Sequence, residues 1–169
     1  FYVEVLFHII DYESSLTANI NNKYYCLSTE LLWIGERTNS LNEAHVEFFR
    51  GIENPIGIKV STRTNIENLI RTAKILNPKN EKAKLLIMTR LGNTDKAKMY
   101  LTELIESFIN KQINCLFICD PMHGNIEIKG NFKTRKCTNI LEEINFTSDI
   151  LHKFNLPLSG IHLESSPLD

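Results

Sequence analysis

Charged or metal-binding residues follow five short apolar runs along the chain. The runs are spaced as alternating strands and helices would space them, and in parallel (β/α) folds the chemistry gathers at the carboxyl ends of the strands. The sequence therefore predicts one polar face that carries an active site. The residues that end the runs are Glu36 with Arg37, Lys59, Arg90, Asp120 with His123, and Glu164.

A histidine and a carboxylate at two of these strand ends could hold a divalent metal ion. Neutral imidazole and carboxylate oxygen are suitable ligands for manganese, iron, cobalt or zinc. His123 and Glu164 are therefore the candidate ligands. A single loop histidine more often serves as a hydrogen-bonding residue, but its pairing with a carboxylate at a second strand end favours the metal site.

Three cations, Arg37, Lys59 and Arg90, end the other runs. If the strands form a barrel, these side chains converge on one concave surface. Arginine presents a planar fork that matches carboxylate or phosphate, and lysine supplies a compact charge, so a phosphorylated or carboxylated small molecule is the expected ligand. The alternative for each cation alone is a helix cap or a surface ion pair. Lys133 and Arg135 form a second, weaker cationic pair.

The apolar periodicity predicts alternating strands and helices, interrupted by Pro55, Pro78 and Pro157. A closed (β/α)8 barrel takes about 250 residues, whereas this chain has 169. The expected fold is α/β: a single segment over 1–169, a partial TIM-type barrel of roughly five or six β/α units, incomplete at both ends. Strands are predicted over 1–7, 31–34, 56–60, 85–88, 115–119 and 160–163, and helices over 9–18, 41–50, 66–76, 96–109 and 139–154.

Composition excludes several classes of protein. A hydrophobic share of 43% with 23% charged residues is typical of a globular domain that can bury a core. The net charge of -1 offers no attraction to nucleic acid, and the apolar runs are too short to cross a bilayer. A cytoplasmic location is expected, or a plastid location in a plant-type host. Four cysteines without CxxC spacing, at positions 26, 115, 119 and 137, favour reduced, buried thiols over disulfides or a zinc cluster.

Six motifs occur in a fixed order along most of the chain. They are Trp33-Ile-Gly-Glu-Arg-Thr38, Ala44-His-Val-Glu-Phe-Phe-Arg-Gly51, Asn54-Pro-Ile-Gly-Ile-Lys59, Asp120-Pro-Met-His-Gly-Asn125, Lys133-Thr-Arg135 and Gly160-Ile-His-Leu-Glu164. In this order the motifs resemble those of the plant-like class II DAHP synthases, the 3-deoxy-7-phosphoheptulonate synthases. Members of that family are far longer, so the resemblance covers an internal piece of their catalytic barrel.

The resemblance implies a function. The family condenses phosphoenolpyruvate with erythrose 4-phosphate and releases phosphate, which is the first step of the shikimate pathway to aromatic amino acids. It also implies a divalent metal, manganese or cobalt, which acts as a Lewis acid on the aldehyde of erythrose 4-phosphate. His123 and Glu164 would be two of its ligands.

The same resemblance implies roles for the remaining site residues. Arg37, Lys59 and Arg90 would bind phosphoenolpyruvate, and Trp33 and Glu36 would line its pocket. Glu36 would also position the water that attacks the enol carbon. Lys133 would lie near the metal and the reacting aldehyde, which makes Glu36, Lys59 and Lys133 the implied catalytic residues.

Departures from the family pattern leave alternatives open. The family's other metal ligands, an earlier Cys and a later Asp, have no counterpart in this chain, and Ser61-Thr62 replaces the usual Gly-Pro. The chain alone is therefore expected to be weakly active or inactive. A second interpretation is a non-catalytic remnant or complementing fragment that binds an anion or a partner polypeptide, or forms a homo-oligomer through unpaired strand edges. A third is another barrel lyase or metal-dependent aldolase.

Overall fold

The structure is a computed structural model that describes residues 4–6, 10–39, 41 and 43–164. The predicted strand over 1–7 therefore lies partly outside the described residues. The strands are β1 (Glu4–Leu6), β2 (Thr17–Ile20), β3 (Lys23–Cys26), β4 (Leu31–Ile34), β5 (Ile56–Val60), β6 (Leu85–Thr89), β7 (Leu116–Cys119), β8 (Glu127–Lys129), β9 (Phe132–Thr134) and β10 (Leu158–Ile161). The helices are α1 (Ile10–Ser15), α2 (Ala44–Arg50), α3 (Ile66–Leu76), α4 (Asp95–Asn110) and α5 (Cys137–Lys153), with a 3₁₀ turn at Glu36–Thr38.

Six strands are hydrogen-bonded in the order β1-β4-β5-β6-β7-β10. The pairs β1/β4, β4/β5 and β7/β10 are parallel. Every residue of β5 and of β6 is buried, as in parallel sheets that are covered on both faces. The α/β class is confirmed, and closure into a barrel stays a prediction.

The chain divides into two compact units. The core of the first unit includes fully buried Leu32, Ile34 and Ile58. The core of the second includes Phe108, whose ring makes an edge contact with Phe117 at a centroid distance of 6.4 Å. The first unit comprises Phe1–Lys59, Thr64–Ile87 and Gln112–Cys115, and the second comprises Val60–Arg63, Met88–Lys111 and Leu116–Asp169.

Side-chain caps mark the starts of α3 and α4. The Asn65 side chain accepts a hydrogen bond from the Asn68 N–H at the start of α3, and the Thr94 hydroxyl accepts one from the Ala97 N–H at the start of α4. Such caps satisfy N–H groups that have no partner within the helix. The predicted helix over 66–76 is confirmed, and that over 96–109 is one residue short at each end.

Two hairpins contradict the sequence prediction. The helix predicted over 9–18 ends at Ser15, and residues 17–26 form an antiparallel hairpin of β2 and β3. Its turn places Asn21 and Asn22 at φ 54° and 63°, a left-handed conformation that asparagine tolerates and that matches strand twist in hairpins. A second hairpin, β8–β9, turns at Gly130 with φ 59°. The strand predicted over 160–163 is displaced by two residues, to Leu158–Ile161.

The four cysteines are all free thiols. Cys26 and Cys119 are buried, as predicted, and Cys115 is half-buried. Cys137 is exposed at the start of α5, so its predicted burial is wrong. None of the helices in the described part of the chain has the length and apolar character needed to cross a membrane.

Candidate functional site

Lys59 lies in the core of the first unit with a relative exposure of 3%. Its Nζ is 4.1 Å from the ring centroid of Trp33, which lies on the neighbouring strand β4 in register with Gly57. An ammonium group over an indole face is attracted by the ring quadrupole, most strongly where water is excluded. The two strands therefore hold a buried positive charge beside an aromatic wall. We call these two residues the lysine–tryptophan pair.

The loop after β4 begins with the 3₁₀ turn that carries Glu36 and Arg37. The N–H of Thr38 donates to the carbonyl of Gly35 at 3.1 Å and closes the turn. The Asn39 side chain then donates to the carbonyl of Lys59 at 3.4 Å, which links this loop to β5. Glu36 is half-buried and the Arg37 side chain is exposed at the surface of the first unit.

His123 lies between two carboxylates in the second unit. Its Nδ1 is 2.9 and 2.8 Å from the two oxygens of Asp120, and its Nε2 is 2.8 Å from Oε2 of Glu164. Asp120 is fully buried, whereas the Glu164 side chain is 61% exposed. The structure thus brings together the two residues that the sequence predicts as metal ligands.

Asp120 orients the imidazole of His123. Besides contacting Nδ1, its Oδ1 accepts hydrogen bonds from the N–H groups of Met122 and His123, both at 3.1 Å. A carboxylate on Nδ1 favours the tautomer that leaves the Nε2 lone pair available, as in many metal-binding histidines. The apolar pattern predicted Asp120 only as a strand-end residue; its position three residues before His123 was the signal for this orienting role.

His162 is a further potential ligand that sequence analysis missed. One ligand atom each from Asp120, His123 and His162 lies within 4.8 Å of the others, and the two imidazole centroids are 6.1 Å apart. The N–H of His162 donates to the carbonyl of Cys119 at 2.8 Å, which continues the pairing of β10 with β7. Its position two residues before Glu164 was a signal, because alternate residues of an extended segment share a face. We call Asp120, His123, His162 and Glu164 the histidine cluster.

The donor atoms of the histidine cluster fit a divalent ion. Two ligands that each bind an ion at about 2.1 Å, at right angles, lie about 3 Å apart, and Nε2 of His123 is 2.8 Å from the Glu164 carboxylate. Imidazole and carboxylate together suit manganese, cobalt, iron or zinc. The donors therefore need only a small adjustment to bind one ion.

Cys119, which lies directly before Asp120 of the histidine cluster, is fully buried. Burial raises the pKa of the Cys119 thiol, which directly precedes Asp120, to about 12, and the nearby Glu143 carboxylate adds to the rise. Low local polarity strengthens the electrostatic interactions of a buried carboxylate such as Asp120.

Arg90 and Lys133 have very different environments. Arg90 follows β6, its N–H donates to the carbonyl of Val60 at 2.9 Å, and its buried Nε makes no hydrogen bond to the residues that the structure describes. Buried donors are normally paired, so this atom is a candidate contact for an anion. Lys133 is exposed in the β8–β9 hairpin, and the next cation, Arg135, donates from Nε to the carbonyl of Met122 at 2.7 Å.

The structure therefore brings the predicted residues together in two groups. Trp33 contacts Lys59 in the first unit, and His123 contacts Glu164 in the second. The convergence of these groups with each other and with the remaining predicted residues, Glu36, Arg37, Arg90 and Lys133, stays a prediction.

Comparison with known proteins places the chain in a family. The family model described as the class-II DAHP synthetase family matches residues 3–169. The chain belongs to this family, as its motifs predicted.

Individual relatives carry a consistent name. A phospho-2-dehydro-3-deoxyheptonate aldolase of Neurospora crassa is 35% identical over 92% of this chain and 36% of its own length. A protein of the same name from Streptomyces coelicolor is 36% identical, with 92% and 35% covered. A probable chloroplastic phospho-2-dehydro-3-deoxyheptonate aldolase of Catharanthus roseus is 37% identical, with 84% and 29% covered. The chain thus spans about a third of the length of these curated relatives.

Proposed function

We propose that this chain forms part of the active site of an enzyme that condenses phosphoenolpyruvate with erythrose 4-phosphate to give 3-deoxy-7-phosphoheptulonate and phosphate. The reaction is the first step of aromatic amino-acid biosynthesis through the shikimate pathway. Family membership supports the reaction class. The observation that carries the assignment to this chain's own residues is the contact of His123 with both Asp120 and Glu164.

The histidine cluster is the proposed metal site. His123 and Glu164 are the proposed ligands, Asp120 orients the imidazole, and His162 is within reach as a further donor. When bound, a manganese or cobalt ion supplies Lewis acidity toward the aldehyde of erythrose 4-phosphate. Two protein ligands are fewer than the three that a catalytic site usually has, which makes the contribution of His162 a question for mutagenesis.

The lysine–tryptophan pair and the arginines are the proposed binding site for phosphoenolpyruvate. Lys59 supplies a desolvated positive charge, and Arg37 and Arg90 supply forks that match phosphate or carboxylate. Phosphoenolpyruvate carries both groups, and an anion at the buried Nε of Arg90 would satisfy that donor. These cations hold the enol phosphate in place and offset its charge as the new bond forms.

The proposed chemistry forms one carbon–carbon bond and one carbon–oxygen bond to water, and it breaks the carbon–oxygen bond to phosphate. The methylene carbon of phosphoenolpyruvate bonds to the aldehyde carbon of erythrose 4-phosphate, whose oxygen takes one proton of the water and becomes a hydroxyl. The water oxygen adds to the enol carbon and becomes the ketone oxygen, and the other proton leaves with phosphate. Glu36, half-buried in the turn after β4, is the proposed residue that orients this water. Lys133 is the proposed contact to the aldehyde of erythrose 4-phosphate. Because Lys133 is exposed in the β8–β9 hairpin, this role requires erythrose 4-phosphate to bind within reach of the hairpin.

Two titrations test the proposal. Trp33 is the one tryptophan of the chain, so its fluorescence reports directly on the lysine–tryptophan pair when phosphoenolpyruvate is added. Calorimetry with manganese chloride tests the histidine cluster, with Glu164→Gln as the damaging variant and His152→Ala, on the exposed surface of α5, as the control. Absence of both a Trp33 emission change and heat of phosphoenolpyruvate binding in the manganese-treated protein would count against the proposal.

A phosphate-release assay with erythrose 4-phosphate separates the remaining alternatives. Turnover by the chain alone supports a self-sufficient enzyme. Binding without turnover supports the second proposal, a non-catalytic or complementing part that requires a partner polypeptide. The composition of the histidine cluster favours that alternative. Of its members, His123 and Glu164 match ligand positions in the family motifs, and the family's other two ligands have no counterpart among them. A cytoplasmic location, or a plastid one in a plant-type host, remains part of the proposal.

A further inference from the structure

Glu143 is a fully buried carboxylate on α5 that the proposed reaction does not use. Its Oε1 accepts a hydrogen bond from the N–H of Leu91 at 2.9 Å, and its Oε2 accepts one from the N–H of Gly92 at 3.0 Å. The side-chain amide of Asn125 donates to Oε2 at 2.6 Å. Three donors from two different loops therefore meet on one buried side chain.

The two loops carry predicted functional residues. Leu91 and Gly92 directly follow Arg90, and Asn125 lies two residues after His123. Asn125 also donates to the carbonyl of Pro121 at 2.8 Å and accepts from the N–H of Asn93 at 3.0 Å. Glu143 and Asn125 therefore join the loop after β6 to the loop after β7 through four hydrogen bonds, three accepted by Glu143 and one donated by Asn93 to Asn125.

The backbones of these loops touch at two glycines. A Cβ atom on Gly92, which has φ 78°, would lie 2.6 Å from the carbonyl oxygen of Gly124, and one on Gly124 would lie 2.3 Å from the nitrogen of Gly92. No side chain fits between the two segments. The Leu91 and Gly92 N–H groups lie beyond the end of β6, and Glu143 supplies their acceptor.

A buried charge in this position is costly unless it is hydrogen-bonded. Burial raises the pKa of Glu143, and the hydrogen bonds from Leu91, Gly92 and Asn125 act in the opposite direction. An apolar side chain would avoid the cost of burying a charge but would leave three donors without an acceptor. The arrangement is therefore specific for a carboxylate, which can accept from all three at once.

We propose that Glu143 is a positioning residue that joins the loop bearing Arg90 to the loop bearing His123, so that the anion-binding and metal-binding side chains of the second unit are held in one fixed arrangement. The functional part of this inference rests on the proposed roles of Arg90 and His123. Its structural part, the joining of the two loops, does not.

The test compares Glu143→Gln with Asp149→Asn, a carboxylate-to-amide change at an exposed position on the same helix. An amide has one acceptor oxygen and cannot accept from all three donors. We expect hydrogen exchange of the Leu91 and Gly92 amides to accelerate by at least about tenfold in Glu143→Gln. NMR signals of the Arg90 Nε–H and of the His123 ring should both shift. Asp149→Asn should change neither. Shifts confined to one loop, or exchange rates equal to those of the parent protein, would overturn the inference.

Asn125→Ala is the second variant, in case Glu143→Gln does not fold. It removes the link to the His123 loop but leaves the hydrogen bonds from Leu91 and Gly92 to Glu143. We expect the His123 ring signals to shift while the Leu91 and Gly92 amides stay protected. A variant whose His123 signals match those of the parent protein would contradict the joining role.

Binding measurements test the functional part separately. In Glu143→Gln we expect affinities for manganese and for phosphoenolpyruvate to fall together, each by about tenfold, with the helical circular dichroism unchanged. Parent-like affinities in this variant would overturn the positioning role. If the parent protein binds neither probe, the proposed function fails, and the exchange and NMR measurements still decide whether Glu143 joins the loops.

Discussion

The lysine–tryptophan pair and the histidine cluster both bury a charge near a strand end, but they stabilise it differently. Lys59 lies within β5, and its ammonium group rests against the indole of Trp33 on the adjacent strand. Asp120 lies just beyond β7, and its charge is stabilised by N–H groups of the following loop and by His123. A cation can be held by packing between neighbouring strands, whereas an anion requires donors that a loop backbone supplies.

This difference predicts different responses to mutation. The geometry of the lysine–tryptophan pair depends on strand register, in which Trp33 is opposite Gly57. The geometry of the histidine cluster depends on turns and on contacts between residues far apart in sequence, such as His123 and Glu164. Substitutions at Lys59 should therefore change ligand affinity with little effect on stability, while substitutions in the cluster should also change local order.

The largest expected effect concerns the reactivity of two cysteine thiols, one in each unit. Burial raises the pKa of Cys115, in the first unit, and of Cys119, in the second, to about 12. A rise from 9.0 lowers the thiolate population about thousandfold at neutral pH, and the thiolate is the reactive form. Iodoacetamide should therefore modify these thiols far more slowly in the native protein than in urea, as mass spectrometry of peptides would show.

The sign of the pH effect follows from these raised values. The neutral thiols stabilise the folded state below pH 9.0, and this contribution is lost as the pH rises toward about 12. Exposed Cys137 is the internal control for reagent access. If Cys119 were modified as fast in the native protein as in urea, its thiol would be accessible to solvent in the folded state. The burial assigned to the residue before Asp120 would then be wrong.

Lys59→Met should weaken phosphoenolpyruvate binding by roughly a hundredfold or more, because a desolvated charge–charge contact is lost. Methionine keeps the length of the stem and removes the buried charge, so the thermal midpoint should not fall appreciably. Titration and differential scanning calorimetry measure the two quantities. Lys153→Met, on the exposed end of α5, is the matched control; a similar loss of affinity in both variants would show that the effect is not specific to Lys59.

His123→Ala should reduce manganese affinity by about a hundredfold, since it removes a ligand and the partner of Asp120. His162→Ala should have a smaller effect if His162 only supplements the site. Calorimetric titration with manganese chloride distinguishes them, with His152→Ala as the control on an exposed helix surface. Equal losses in His123→Ala and His162→Ala would make His162 a full ligand in this chain, and unchanged binding in His123→Ala would remove the metal assignment.

Asp120→Asn should produce the smallest change, a loss of metal affinity of about tenfold. The amide can still contact Nδ1 of His123, but its oxygen is a weaker acceptor than a carboxylate oxygen, so the ring is oriented less firmly. Phosphoenolpyruvate binding, reported by Trp33 fluorescence, should fall by less than manganese affinity, because Asp120 is not among the proposed phosphoenolpyruvate ligands. A larger effect on phosphoenolpyruvate binding than on manganese affinity would contradict the assignment of Asp120 to the metal site.

The elements that carry the two regions were largely predictable from local patterns. The strands over 31–34 and 56–60 and the helix over 66–76 are confirmed without change of bounds. Apolar spacing marks all three, and Pro55 and Pro78 bracket the last two, since proline ends regular hydrogen bonding. Hairpins were missed because their short strands have mixed burial, as in β2 and β8, and only turn residues such as Asn21 and Gly130 mark them.

By itself the amino-acid sequence determined the family, the order of the buried strands along the chain, and the candidate ligands His123 and Glu164. Each of these depends on motifs or on short-range spacing. Only the tertiary structure decided which charges meet. The hydrogen bond from Leu91 to Glu143 joins residues 52 positions apart, and the approach of His162 to His123 depends on the pairing of β10 with β7. Such contacts are set by how helices and strands pack, and local periodicity carries no information about that packing.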